Sequence, residues 1–312
     1  MPDNIQHGAE PSDRAKRLAR ARLSLEGLSV GDAFGQASFG FGANIEFALQ
    51  QRQSPPAPWP YTDDTVMALS IVEELTARGR IDQDELAERF AAAFLVEPDR
   101  GYGQTAMRIL WEIARGLDWR EVSRGAFAGQ GSMGNGSAMR VGPVGAFYAD
   151  APRETVRQAT AAAEVTHMHP EGIAGAIATA AAAGAAWRAG ATGEPARRGA
   201  ILEAAIDLTP PGAVRSGLEA AARLPADTTA EQAAARLGNG SRITCPDTVP
   251  FCVWCADRYL DSYEEAIWSA VSALGDSDTN CAIVGSIVVM ATGLDAIPRP
   301  WLAARESLPA LG

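Results

Sequence analysis

Apolar residues recur at intervals of three and four along most of the chain. Between residues 60 and 75, PYTDDTVMALSIVEEL, Val66, Leu69, Val72 and Leu75 share one helical stripe, and Gly79 follows Ala77-Arg78. This pattern predicts a helix that starts near Thr62 and stops near Gly79. The same periodicity predicts helices over roughly 15–34, 83–95, 102–115, 153–165, 173–188, 200–206, 214–223, 229–237, 248–259, 263–274 and 280–292. Alternation of β-branched and polar residues is nearly absent. The expected fold class is therefore all-α, a compact single-domain orthogonal helical bundle whose Ala-rich helices can approach closely.

Two helix starts carry more polar chemistry than a helix needs. Asp63 and Asp64 sit between Thr62 and Thr65, directly before an apolar run. One carboxylate could cap free N–H groups and suit the helix dipole. A second beside it adds like-charge repulsion, so it is either solvated or held with its neighbour by a cation. A second segment repeats the design: in ALGDSDTNCAIVGSIVVM, Asp276, Asp278 and Thr279 again precede a buried-type helix. If the two mouths meet, they form an all-oxygen pocket. Such donors suit Mg²⁺ or Mn²⁺, the lack of nearby His or Cys argues against zinc, and four Asp can carry more than one ion.

Composition narrows the class without fixing it. The 312 residues are 47% hydrophobic, enough for a large core, and no Pro/Ser linker divides them. One domain is expected over 16–312, preceded by a flexible polar leader over 1–15 that lacks the apolar stretch of a signal peptide. No segment has the uninterrupted apolar length of a membrane span. A net charge of −11 argues against broad binding to nucleic acid or membrane surfaces, although a local Arg patch could still grip a phosphate. Cys252 and Cys255 form a Cys-x-x-Cys pair, but they lie in PFCVWCADRYL, an apolar run where cysteine behaves as a small hydrophobe. Buried reduced thiols fit a cytoplasmic protein.

Two loops add candidate chemistry. GQGSMGNGSAMR, residues 129–140, is a Gly-rich turn of the kind that exposes backbone N–H groups and can cradle phosphate oxygens. THMHPEG, residues 166–172, holds two of the three histidines, which can contact a substrate, cap the next helix or bind a metal.

Taken in order, GLSVGDAFG (27–35), TDDT (62–65), GSMGNGSAMR (131–140), THMHPEG (166–172) and GDSDTNCAIVG (275–285) resemble the ADP-ribosylglycohydrolase family. The resemblance runs from Gly27 to about Ile297. It implies an all-helical fold with two Mg²⁺ or Mn²⁺ ions in a cleft that takes ADP-ribose. By resemblance, Thr62, Asp63, Asp64, Asp276, Asp278 and Thr279 are the metal ligands. Ser132, Met133, Gly134, Asn135 and Gly136 line the diphosphate, His167 stands near the adenosine end, and Asp32 supports the metal loops beside the substrate. Gln36, Asp63 and Asp278 are the residues expected at the catalytic centre. The implied activity is hydrolysis of the glycosidic bond between ADP-ribose and a modified protein side chain, nucleobase or small molecule. The partners expected are that substrate and the ADP-ribose product, with no membrane, nucleic acid only as a modified target, and a monomeric chain.

One position departs from the pattern. Many relatives carry a Glu a few residues beyond the Gly-Asp-Ala-x-Gly element, where this chain reads Gln36, Ala37, Ser38 and Phe39. Gln36 is the amide isostere of Glu and cannot serve as a base. Three readings follow: catalysis without that carboxylate, a carboxylate supplied by Glu46, or an ADP-ribose-binding protein with weak or no turnover. A dinuclear phosphoesterase is a further rival, distinguished by release of phosphate.

Overall fold

The computed structural model describes residues 13–193 and 197–310. The expected leader thus lies outside the described residues, except for positions 13–15, which open the first helix. In chain order the helices are α1 (Asp13–Ser38), α2 (Ile45–Gln50), α3 (Asp63–Arg78), α4 (Gln83–Val96), α5 (Gln104–Ala114), α6 (Trp119–Gly129), α7 (Gly142–Phe147) and α8 (Pro152–Glu164). They continue with α9 (Pro170–Gly190), α10 (Ala200–Leu208), α11 (Ala213–Ala222), α12 (Ala230–Leu237), α13 (Cys245–Arg258), α14 (Tyr263–Val271), α15 (Ser277–Thr292) and α16 (Arg299–Ala304). Each periodic segment has its helix. Among the described residues there are no strands, only isolated bridges at Trp59–Arg305 and Gly134–Thr244. The fold is all-α, in one domain.

Helices α2, α6, α7 and α16 were not foreseen. Three of them have six residues, too short to show a period. In α7, GPVGAF, a proline and two glycines mask a segment that is buried throughout.

The spine of the molecule is the α1–α15 pair. Gly27, Gly31 and Gly35 recur every fourth residue and so share one face of α1. A methyl group on them would lie 2.5 Å from the Gly285 carbonyl oxygen, 2.1 Å from that of Cys281 and 2.3 Å from that of Ser277. The two backbones therefore run antiparallel in direct contact, and only glycine fits between them. Ser24 Oγ donates to the Ser286 carbonyl at 2.9 Å, and Tyr263 Oη donates to that of Gly27 at 2.6 Å, fixing the register. Because of this pairing, the C-terminal turns of α1 reach the N-terminal mouth of α15.

Helix α9 fills the centre. It is Ala-rich, buried along most of its length, and contacts α7, α8, α10, α13 and α15. One core gathers α9, α13, α14 and α15, and a second gathers α3, α4, α5 and α8. The four cysteines, Cys245, Cys252, Cys255 and Cys281, are free and buried in or against these cores. Burial pushes the Cys245 and Cys255 thiols up to about 12, so they are neutral packing groups.

Candidate active site

Thr62 is the N-cap of α3, its Oγ1 accepting from the Asp64 amide at 3.3 Å, and Gly79 closes the helix in the left-handed conformation. The capping role thus belongs to threonine. Asp63 and Asp64 occupy the first helical turn, and both are buried, so solvation does not explain the second carboxylate either.

Asp32 reaches across from α1 to organise this turn. Its two oxygens accept from the Thr62 amide (2.9 Å), Thr62 Oγ1 (2.8 Å), the Thr65 amide (3.1 Å) and Thr65 Oγ1 (2.5 Å). Asp32 therefore supports the loop. Asp64 Oδ2 also lies 3.1 Å from Thr62 Oγ1. That hydroxyl has one hydrogen for two carboxylate oxygens, so the cluster is short of positive partners.

The second mouth is built from the opposite side. Asp276 precedes α15, its amide donating to the Asn239 carbonyl at 3.2 Å and its carbonyl accepting from the Asn280 amide at 2.8 Å. Its Oδ2 accepts from Asn135 Nδ2 at 2.7 Å. Asp278 stands in the first turn of α15, with Thr279 buried beside it. Asp64 Oδ1 and Asp278 Oδ1 are buried oxygens without a hydrogen-bond partner.

Five carboxylates in one low-dielectric region raise one another's proton affinity. Burial pushes Asp32 up to about 6 despite its four donors, and burial, then Asp278, pushes Asp276 up to about 7. Burial raises Asp63 and Asp64 well above the usual carboxylate range, with further contributions from Asp32 and Asp278. Asp278 is raised by burial and then by Asp32. The two mouths that sequence patterning singled out therefore share one electrostatic neighbourhood. Among the described residues, no three His, Cys, Asp or Glu side chains form a ready-made metal site. The fit to a hard divalent cation rests on the all-oxygen donor set and the two orphaned carboxylate oxygens.

The Gly-rich loop closes a third side, in a more constrained form than an open phosphate cradle. The Gly134 amide donates to Ser132 Oγ at 3.1 Å, and the Asn135 amide to the Ile243 carbonyl at 3.3 Å. Asn135 uses its side chain to tie the loop to Asp276 and to Thr248 Oγ1, the latter at 3.1 Å. Met133 is exposed, while Gly134 and Gly136 lie over His167. A methyl group at Gly134 would stand 3.1 Å from His167 Nε2, and one at Gly136 would stand 3.0 Å from its Cε1. His167 is thus the floor of the loop. His169 has the other role foreseen for this pair: its Nδ1 accepts from the Glu171 amide at 3.0 Å and caps α9.

Gln36 is half-buried in the last turn of α1, next to Gly35, whose face lies against Ser277 and Asp278. Glu46 is elsewhere: it is exposed and lines a cleft of about 550 Å³ with Arg52, Tyr259 and Trp268.

Comparisons of sequence and structure place the whole chain. The family model described as ADP-ribosylglycohydrolase matches residues 13–311. The chain belongs to the ADP-ribosylglycohydrolase family. It is 29% identical to human ADP-ribosylhydrolase ARH3, over 92% of this chain and 89% of that protein. It is 32% identical to the ADP-ribosyl-[dinitrogen reductase] glycohydrolase of Rhodospirillum rubrum, over 48% of this chain and 52% of that one. A solved structure titled "ADP-ribosylglycohydrolase-related protein complex" superposes with a TM-score of 0.68 at 27% identity, covering 93% of each chain. For a member of this family, sequence reasoning left Thr65, Arg140 and Thr166 without a role, although all three belong to the hydrogen-bond net around the site. Thr65 bonds Asp32 across 33 residues, and Arg140 bonds Ala162 and Thr166 across 22 and 26, separations that have no local signature.

Proposed function

We propose that this ADP-ribosylglycohydrolase is a divalent-metal-dependent hydrolase that releases ADP-ribose from a modified target. The observation that carries the reading is the pair of orphaned carboxylate oxygens, Asp64 Oδ1 and Asp278 Oδ1, at two helix mouths brought together by the α1–α15 contact. Thr62, Asp63, Asp64, Asp276, Asp278 and Thr279 would hold two Mg²⁺ or Mn²⁺ ions, which supply orientation of the ribose hydroxyls and activation of water.

The chain's own residues have separable tasks. Asp32 accepts the Thr62 hydroxyl hydrogen and the Asp64 amide uses one lone pair of that oxygen, leaving the other available to a cation. Asn135 holds the second carboxylate loop and the Gly-rich loop at a fixed separation. Gly134 and Gly136 let the loop that would take a diphosphate pack directly on His167, since a side chain at either would meet the imidazole. The sugar's anomeric carbon develops oxocarbenium character during cleavage, and a negative carboxylate cluster suits that charge. Gln36 can orient a water by hydrogen bonding but cannot take its proton. Four free buried thiols fit a reducing, cytoplasmic setting.

The test is release of free ADP-ribose from defined ADP-ribosylated protein, nucleic-acid and small-molecule substrates, with Mg²⁺ or Mn²⁺ and after exhaustive chelation. Release that requires the cation is expected. Full activity in metal-free protein sinks the metal assignment, and liberation of phosphate in place of ADP-ribose makes the chain a phosphoesterase.

A further inference from the structure

Arg140 is a buried cation without an ion-pair partner among the described residues. It is 1% exposed, and its guanidinium stacks on Phe90 of α4 with 4.5 Å to the ring centroid. Its nitrogens donate to the Ala162 carbonyl of α8 at 3.0 Å, to Thr166 Oγ1 at 2.8 Å and to Met67 Sδ of α3 at 3.4 Å. Among the described residues no carboxylate forms a salt bridge with it, and burial pushes the guanidinium down to about 9 against the pull of Asp63. Anchored from three helices, the guanidinium has, among the described residues, one polar side-chain oxygen to act on, that of Thr166.

Hydrogen-bond accounting then fixes the next link. Arginine only donates, so Thr166 Oγ1 accepts from Arg140. The other side-chain partner of that hydroxyl is His167 Nδ1 at 2.7 Å. The hydroxyl's single hydrogen therefore goes to Nδ1, which must be unprotonated to accept it. A proton on Nδ1 would aim two donors at one oxygen and leave the hydroxyl hydrogen without an acceptor among the described residues. The imidazole is itself neutral, since burial and then Arg140 push it down to about 3. Its one proton is on Nε2, and Nε2 is the atom facing Gly134 and Gly136.

We infer that Arg140 and Thr166 are positioning residues that lock His167 as its Nε2–H tautomer, so that a neutral imidazole donates to an anionic oxygen seated at the Gly134–Gly136 turn. The diphosphate as that anion rests on the function proposed above; the tautomer does not. A fixed donor has an advantage here over a titrating histidine. It holds the phosphate equally well across the physiological pH range and demands no desolvation of an imidazolium.

The decisive measurement is histidine ¹⁵N NMR on the full chain, with His7→Asn and His169→Asn used to assign the signals, followed by calorimetry with ADP-ribose. In the ligand-free wild type, His167 is expected to show a protonated Nε2 and a bare Nδ1. Thr166→Val, which keeps the shape but removes the hydroxyl, should mix the tautomers and weaken ADP-ribose binding about tenfold, the scale of one lost hydrogen bond. Thr166→Ser should restore both signals. A wild-type His167 protonated on Nδ1 overturns the inference without any mutant. So does a folded Thr166→Val protein with an unaltered tautomer or unaltered ADP-ribose affinity. A wild type that shows the Nε2–H form yet binds no ADP-ribose supports the relay and overturns the ligand assigned to the site.

Discussion

At the scale of single residues, the adjacent aspartates are explained by what they are not doing. Thr62 supplies the helix cap, so neither Asp63 nor Asp64 is needed for it, and neither is solvated. A cation site and a helix-stabilising role then predict opposite signs for one substitution. Asp278→Asn should weaken Mg²⁺ or Mn²⁺ binding by more than about tenfold, because a charged oxygen ligand is lost. The same change should raise the thermal stability of the metal-free protein, because one member of a mutually repelling buried cluster is neutralised. Loss of apo stability with unchanged metal affinity would return Asp278 to a structural role. Gln36 makes a second prediction from its place beside Gly35 and the α15 mouth. If it stands where relatives carry a carboxylate, Gln36→Glu adds a base, and single-turnover release should rise by about 10²–10⁴-fold with little change in ADP-ribose affinity. Equal or slower turnover leaves Gln36 to packing. The aspartates were legible in the sequence because each pair is local and abuts its own apolar run. Asn135 was legible only as part of a Gly-rich turn, since its tie to Asp276 spans 141 positions.

At the scale of elements, the site depends on how closely α1 and α15 approach. A Cβ at Gly31 would lie 2.1 Å from the Cys281 carbonyl oxygen, a backbone atom that cannot swing aside. Gly31→Ala must therefore separate the helices. Overpacking of a core contact costs about 1–3 kcal/mol, and a backbone clash belongs at the upper end, readable as a fall in the urea midpoint. Gly40→Ala is the control, since nothing lies within 4 Å of a Cβ there, and it should be near neutral. Asp32 is the neighbour of Gly31 and moves with it, so Gly31→Ala should also weaken divalent-metal binding; an unshifted midpoint would show that the pairing tolerates bulk. The helices themselves were readable from apolar spacing, since α3, α9 and α15 each run for three turns or more. Their mutual arrangement was not. Three glycines four residues apart identify a small-residue face but do not say that its partner lies some 250 residues away at Ser277, Cys281 and Gly285. Helix α7 escaped notice for a related reason: proline and glycine are local breakers, and burial against α1 and α9 overrides that local preference.

At the scale of the whole molecule, the carboxylate cluster should invert part of the usual pH dependence of stability once metal is removed. Asp32 and Asp276 titrate in the folded chain at about 6 and about 7, and Asp63 and Asp64 are also raised, chiefly by burial. The unfolded chain would titrate the same groups near about 3.9. Between these limits the folded protein binds more protons than the unfolded one, so its stability falls as pH rises through the folded values. His167 acts in the other direction. Held down to about 3, it refuses a proton that the unfolded chain accepts below about 6.5, and so it removes stability as pH falls further. Ion-paired carboxylates such as Glu306 with Arg100 are lowered and add to that acid loss. At pH 6.5 the histidine is half protonated in the unfolded chain, a cost of only about 0.4 kcal/mol that fades as pH rises, which leaves the aspartates in control. Chelated protein should therefore melt at a higher temperature at pH 6.5 than at pH 8. Divalent cation competes with those protons and binds best when the carboxylates are ionised. At a hundred times its dissociation constant it should add about 2.7 kcal/mol. That gain should be largest at pH 8 and should flatten or reverse the slope. Thermal melts at the two pH values, with chelator and with Mg²⁺, measure all four corners. Parallel pH dependence with and without the ion would mean that Asp63, Asp64, Asp276 and Asp278 do not hold a cation.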